Sequence, residues 1–153
     1  MIKPQELSRC FAMLMVLAAC SSPTNTDGVR LRLEVESSVQ VVDSIAVRAV
    51  VTNSTGRQLA IGSESSPPIV NVEVRRSDGR LVWNRVPPTA MIGGPPTTVR
   101  LVPEQEWVIP VVWRLVDDTG LRVQPGEYTM RAVLRLDGSQ VRSQDARVVV
   151  TPS

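Results

Sequence analysis

VRLRLEVE, Val29 to Glu36, alternates apolar and charged residues without a break. Val29, Leu31, Leu33 and Val35 fall on one face, and Arg30, Arg32, Glu34 and Glu36 on the other. A period of two is the mark of a strand with one buried face. The same pattern returns along the chain. SIAVRAVVTN (Ser44–Asn53) turns Ile45, Val47, Ala49 and Val51 inward and stops at the turn cluster Asn53-Ser54-Thr55-Gly56. LAIG is a short strand before the breaker SESSPP. IVNVEVRR and LVWNRV flank Ser77-Asp78-Gly79-Arg80, a hairpin signal because glycine enters the left-handed turn conformation freely.

Beyond the Pro- and Gly-rich stretch Pro87–Thr97 come VRLVP and EWVIPVVWRL. The latter aligns Trp107, Ile109, Val111 and Trp113, with Pro110 on the opposite phase, as expected of an edge strand or bulge. EYTMRAVLRL aligns Tyr128, Met130, Ala132, Leu134 and Leu136, and a last strand ends in ARVVV. No segment after Cys20 carries a helical period. Hydrophobic residues make up 42% of the chain and aromatics only 3%, so Val, Leu and Ile must build the core, with the three Trp as fillers. Eight or nine short strands with regular turn signals predict an all-β, immunoglobulin-like antiparallel β-sandwich over 29–151. The 153 residues suffice for one such domain and no more.

The N-terminal segment has a different character. Lys3 and Arg9 precede the apolar run Phe11–Ala19, which is too short for an ordinary membrane span and suits an export signal. The run ends in Leu17-Ala18-Ala19-Cys20, which resembles the lipobox of bacterial lipoproteins. That resemblance implies removal of residues 1–19 as a lipoprotein signal peptide, with acylation, palmitate included, at Cys20. Residues 20–28 are then the lipidated Cys and a flexible tether, whose Ser21–Gly28 part spans at most roughly 28 Å. An ordinary secretory signal and an uncleaved buried helix are the alternatives. The implied location is the bacterial cell envelope, facing away from the cytoplasm, and the outer membrane if the cell has two. Ser21 after the Cys supports that sorting. Two or three acyl chains would make the membrane a stable partner.

Composition narrows the chemistry. The chain has no His, which excludes Ser–His and Cys–His catalysis and removes the commonest zinc ligand. Loss of residues 1–19 would leave 15 Arg against 14 acids, no footprint for nucleic acid. Cys10 would leave with the signal, so no intramolecular disulfide is expected. Asp118-Thr119-Gly120 matches the Asp-Thr-Gly of aspartic proteases, but that reaction needs two such Asp sharing a proton and Leu121 breaks the pattern. A turn is the better reading. Asp117 and Asp118 lack a third nearby acid for Ca²⁺. Asn53-Ser54-Thr55 fits a glycosylation sequon and is read as turn chemistry. An enzyme is not expected, nor any cofactor.

AVVTNSTGRQL, VEVRRSDGRLVWNR, RLVPEQEWVIPVVW and VQPGEYTMRAVLRL together resemble the BsuPI family, named for an intracellular proteinase inhibitor of Bacillus. The likeness covers about residues 40–137. It departs at Pro103-Glu104-Gln105, where the family tends to have Pro-Gly-Glu, and in the export signal. The resemblance implies inhibition of a serine, subtilisin-like protease, and it identifies no inhibitory residue. From the residues themselves, Pro87–Thr97 is the sharpest functional segment, because flanking prolines lower the entropy of holding a loop in a protease cleft. Ala90, Met91 and Ile92 are the candidate contacts, Met91 foremost. The reading favoured for the residues themselves is that Met91 and Ile92 fold back over the end of the sandwich, as packing or a lid. The alternative function is a non-inhibitory binding or scaffold module of the envelope.

Overall fold

The computed structural model describes residues 24–26, 28–41, 44–62, 69–86, 98–136 and 139–152. It contains twelve strands: β1 (Thr24–Thr26), β2 (Val29–Val35), β3 (Ser38–Gln40), β4 (Ile45–Asn53), β5 (Leu59–Ile61) and β6 (Ile69–Arg76) in the first half. The second half adds β7 (Leu81–Asn84), β8 (Val99–Leu101), β9 (Glu106–Trp113), β10 (Gly126–Leu136), β11 (Ser139–Arg142) and β12 (Ala146–Thr151). Among the described residues there is no helix.

Two sheets face each other. One has the order β1-β2-β4-β9, and the other β3-β12-β10-β6-β7, with β11 also on β10. The pair β5-β8 forms a separate ribbon. All pairings are antiparallel except β3 on β12. The chain leaves the first sheet at Val35 and joins the second as its edge strand β3. The strand count exceeds the expected eight or nine by β1, β3 and β11. These are three or four residues long, too short for alternation to show. β1 also falls inside the segment expected to be a tether, and its Thr24–Thr26 pair with Leu31–Val29.

The predicted inward faces meet in the core. Leu31, Val47 and Trp113 from one sheet and Val72, Met130 and Val148 from the other are each buried in one continuous cluster. Trp113 is fully buried, while Trp83 and Trp107 pack against the cluster half-buried. Pro110 lies on β9, an edge strand, where the missing N–H costs no ladder bond to a further strand. Tyr128, the third residue of β10, donates its hydroxyl to the Gln124 carbonyl at 2.6 Å, the tyrosine corner of immunoglobulin-type sandwiches. Its ring meets Trp113 edge-on at 5.5 Å.

Among the described residues, two that are not glycine adopt positive φ. Leu115, fully buried, has φ 54 and is held by Val123 N–H donating to its carbonyl at 2.9 Å. Glu104 has φ 59 in the turn between β8 and β9, a conformation an L side chain disfavours by about 1–2 kcal/mol. Glu104→Gly is expected to raise stability by about 0.5–1 kcal/mol, the relief of strain exceeding glycine's added entropy in the unfolded chain. A urea melt with unchanged slope checks it.

Candidate functional site

The end of the sandwich where β4 stops is organised by one amide. Asn53 is fully buried, and its Nδ2 donates to the Arg57 carbonyl at 2.8 Å and to the Leu101 carbonyl at 2.9 Å. Its Oδ1 accepts from the Thr55 N–H at 2.9 Å and the Thr55 hydroxyl at 2.6 Å. The main chain adds Asn53 N–H to Gln105 O and Glu104 N–H to Asn53 O. Asn53-Ser54-Thr55 is therefore turn chemistry, with both amide hydrogens already used. Ser54 donates through N–H and hydroxyl to the Gly28 carbonyl. Gly28 has φ +79, and a Cβ there would collide with Thr55 Cγ2, so only glycine fits.

A second polar chain holds the exit of β7. Asn71 and Asn84 are both buried, with Asn71 Nδ2 donating to Asn84 Oδ1 at 3.2 Å. Asn71 Oδ1 accepts the Val86 N–H at 3.0 Å, and Arg85 Nη1 reaches the Val70 carbonyl at 2.7 Å. After the 87–97 segment comes β8, where Val99 faces Ile61 and Leu101 faces Leu59. Both flanks of the segment are thus fixed, one by buried amides and one by strand pairing. Ala90, Met91 and Ile92 lie outside the described residues, as does Cys20.

Asp117–Gly120 is a tight turn. One oxygen of Asp117 accepts from the Thr119 hydroxyl at 2.6 Å, the Thr119 N–H at 2.9 Å and the Leu121 N–H at 3.0 Å. These bonds, the Thr119 hydroxyl first, hold the Asp117 carboxyl below its ordinary 3.8. Asp118 instead serves β7, accepting the Asn84 N–H at 2.9 Å and donating its own to Val82 O. Two carboxylates spent on backbone donors leave no shared proton of the aspartic-protease kind. Among the described residues no three His, Cys, Asp or Glu side chains are placed to hold a metal ion.

The outer faces neutralise themselves. Arg32 bonds Glu106 at 2.6 Å and Glu34 at 3.0 Å, and Arg48 bonds Glu34 at 2.9 Å across β2, β4 and β9. The Glu106 bond leads in raising the Arg32 pKa and in lowering that of Glu106. On the other sheet Arg131 pairs with Asp145, Arg75 with Glu73 and Arg147 with Glu127. A shallow depression of about 170 Å³ beside Arg30, Thr52 and Glu104 is lined by the already paired Arg32 and Glu106. The alternation in the sequence had put these charges on the face opposite the buried one. It missed Asn71 and Asn84, whose signal is a short amide set in otherwise apolar strands.

No protein-family model matches the chain. No curated protein sequence matches it either. Among solved structures, the C-terminal domain of Wzt is similar, with a TM-score of 0.52 at 6% identity over 87% of this chain and 78% of that one. A β-glucosidase from Erythrobacter marinus is similar over 78% of this chain at 22% identity and TM-score 0.47, and this chain spans 15% of its length. A CARDB domain from Pyrococcus furiosus, in complex with di-metal ions, gives 20% identity and TM-score 0.44 over 86% of this chain and 95% of that one. The class is an all-β, immunoglobulin-like sandwich.

Asn53→Ala is expected to cost about 3 kcal/mol, because it strips partners from the Arg57 and Leu101 carbonyls and the Thr55 donors together. Chemical denaturation reads that loss. Asp117 should titrate below 3.8 in the folded chain. A carboxyl depressed by folding contributes stability above its unfolded pKa, and the contribution is lost as pH falls through the lower folded value. Carboxyl-detected NMR should show the Asp117 midpoint move upward in Thr119→Ala.

Proposed function

We propose that this chain is a lipid-anchored protein of the bacterial cell envelope whose BsuPI-like domain binds a protein partner through the segment between β7 and β8. The partner is a serine protease of the subtilisin type, and the domain acts by binding rather than by catalysis. The observation that carries the reading is the fixation of both flanks of residues 87–97, by the Asn71–Asn84–Val86 bonds and by β8. Restraint of the flanks lowers the entropy lost when a loop enters a cleft. The BsuPI resemblance draws support from Glu104. It takes the left-handed conformation at the position where the family tends to carry Gly. Val102, 50% exposed beside the Asn53 turn, favours a second reading, docking without inhibition, because it offers apolar contact outside Ala90–Ile92.

The two readings separate in one assay. Detergent-solubilised mature protein at micromolar concentration should slow a subtilisin-like protease, and deletion of Ala90–Ile92 should abolish the effect while leaving the thermal melt unchanged. A folded protein that slows no such protease overturns inhibition and leaves docking. The anchor is read by radiolabelled palmitate, which should mark the wild type and not Cys20→Ala. Equal labelling would overturn it.

A further inference from the structure

EWVIPVVWR, Glu106 to Arg114, reads alike from both ends. Pro110 is its centre, and at equal distances on either side stand Val108 and Val112, then Trp107 and Trp113, then Glu106 and Arg114. The last pair is matched by opposite charge rather than by likeness. In the fold, the odd-numbered residues of β9 turn inward, while Glu106, Val108, Pro110 and Val112 lie exposed on the outer face. Val108 is 37% and Val112 56% exposed, two of the four large apolar side chains left open among the described residues. β9 is the end strand of its sheet, so this apolar stripe runs along the margin of the face.

Pro110 decides how such a margin is covered. The Asn53 N–H donates to the Gln105 carbonyl, which places the odd-numbered residues of β9 in the hydrogen-bonded pairs with β4. The even-numbered residues therefore direct their main-chain groups away from the sheet, and Pro110, in the middle of them, has no N–H to give. A further strand added at this edge would lose its central bond. What remains for a partner to meet is the row of side chains.

Charge selects that partner. Two copies of the stripe laid face to face, strands antiparallel and with a two-fold axis at Pro110, bring Val108 onto the other copy's Val112 and Glu106 onto the other copy's Arg114. Symmetry makes each contact twice. A parallel arrangement instead sets Glu106 against Glu106 and Arg114 against Arg114. Arg114 is exposed and in no ion pair among the described residues. Glu106 already holds Arg32, but its side chain is 43% exposed and a carboxylate accepts more than one cation.

We propose that this stripe is a dimer interface, with β9 of one chain packed on β9 of a second copy about Pro110. The contact is about 26 Å long and about 10 Å wide, so it falls well below the roughly 800 Å² a side of a stable complex. The dimer is therefore weak and forms as concentration rises. It is independent of the anchor and of the 87–97 segment.

Sedimentation equilibrium tests it on the purified full chain, in detergent matched in density to the buffer so that only protein mass is read. Wild type is expected to pass from one copy to two across the micromolar to millimolar range. Val108→Asp and Val112→Lys each set a bare charge against valine, and each is expected to weaken association about tenfold with an unchanged thermal melt. Mixed in equal amounts they should regain it, because only the mixed pair sets Asp against Lys across the axis. Arg114→Glu, beyond the end of the strand, should weaken association by facing Glu106, and it carries the test if a strand variant fails to fold. A wild type that stays single at millimolar concentration overturns the dimer. A dimer indifferent to these substitutions overturns the interface, and a mixture no stronger than its parts overturns the two-fold pairing.

Discussion

The side-chain amide of Asn53 is the contact on which one whole end of this fold depends. It closes its own turn through Thr55 and Arg57 and reaches across to Leu101 on β8. That bond adds a directional tie to the apolar packing of Ile61 and Leu101, which seats the ribbon β5-β8 on the core. A buried amide with every donor and acceptor used is costly to leave half-satisfied, and this makes the arrangement specific. Ser54 and Gly28 extend the same node to the start of β2. The turn before β2, the end of β4 and the entry to β9 are therefore one unit.

The opposite end is held by aromatic packing instead. Trp113 donates Nε1 to Val116 O at 2.8 Å while its ring sits against Tyr128 and, at 6.5 Å, Trp83. Burial pushes the Tyr128 phenol up, so it remains a donor to Gln124 throughout the physiological range. The left-handed turn at Leu115 is sustained by this packing, since its side chain is wholly enclosed. One end is thus polar and hinges on turn geometry, and the other is apolar and hinges on ring contacts.

Long alternating segments made most of this legible. Five strands, β2, β4, β6, β9 and β10, follow from period, because seven to eleven residues in alternation can face a core in only one way, and the shorter β5, β7, β8 and β12 follow with the turn signals beside them. The edge position of Pro110 followed from the chemistry of proline. What escaped was of two kinds. β1, β3 and β11 are too short for a period, and their pairing is decided by where neighbouring strands end. Asn71 sits on the outward phase of IVNVEV and is nevertheless buried, because residues 84–86 fold over it. Ser143 escaped similarly. Its hydroxyl accepts the Ala132 N–H at 2.9 Å where a strand would offer a carbonyl, so β11 and β12 act as one interrupted return strand. Neither is visible until the partner strand is known. Residues 90–92 and Cys20 stand on sequence alone.

The outer faces add the last constraint. Arg32, Glu34, Arg48 and Glu106 form a closed set across three strands, and Arg131–Asp145 and Arg75–Glu73 repeat the device on the other sheet. Exposed pairs of this kind add little stability each. Their effect is on recognition. A partner docking across either face would have to strip water from charges already satisfied, at a desolvation cost that no new pairing offsets. Two of the sheet edges are guarded as well, by Pro110 on β9 and by Asp118 bonding to β7. The end bearing Asn53 is fixed differently, by the side-chain bond from Asn53 to the Leu101 carbonyl that holds β8, one flank of the 87–97 segment.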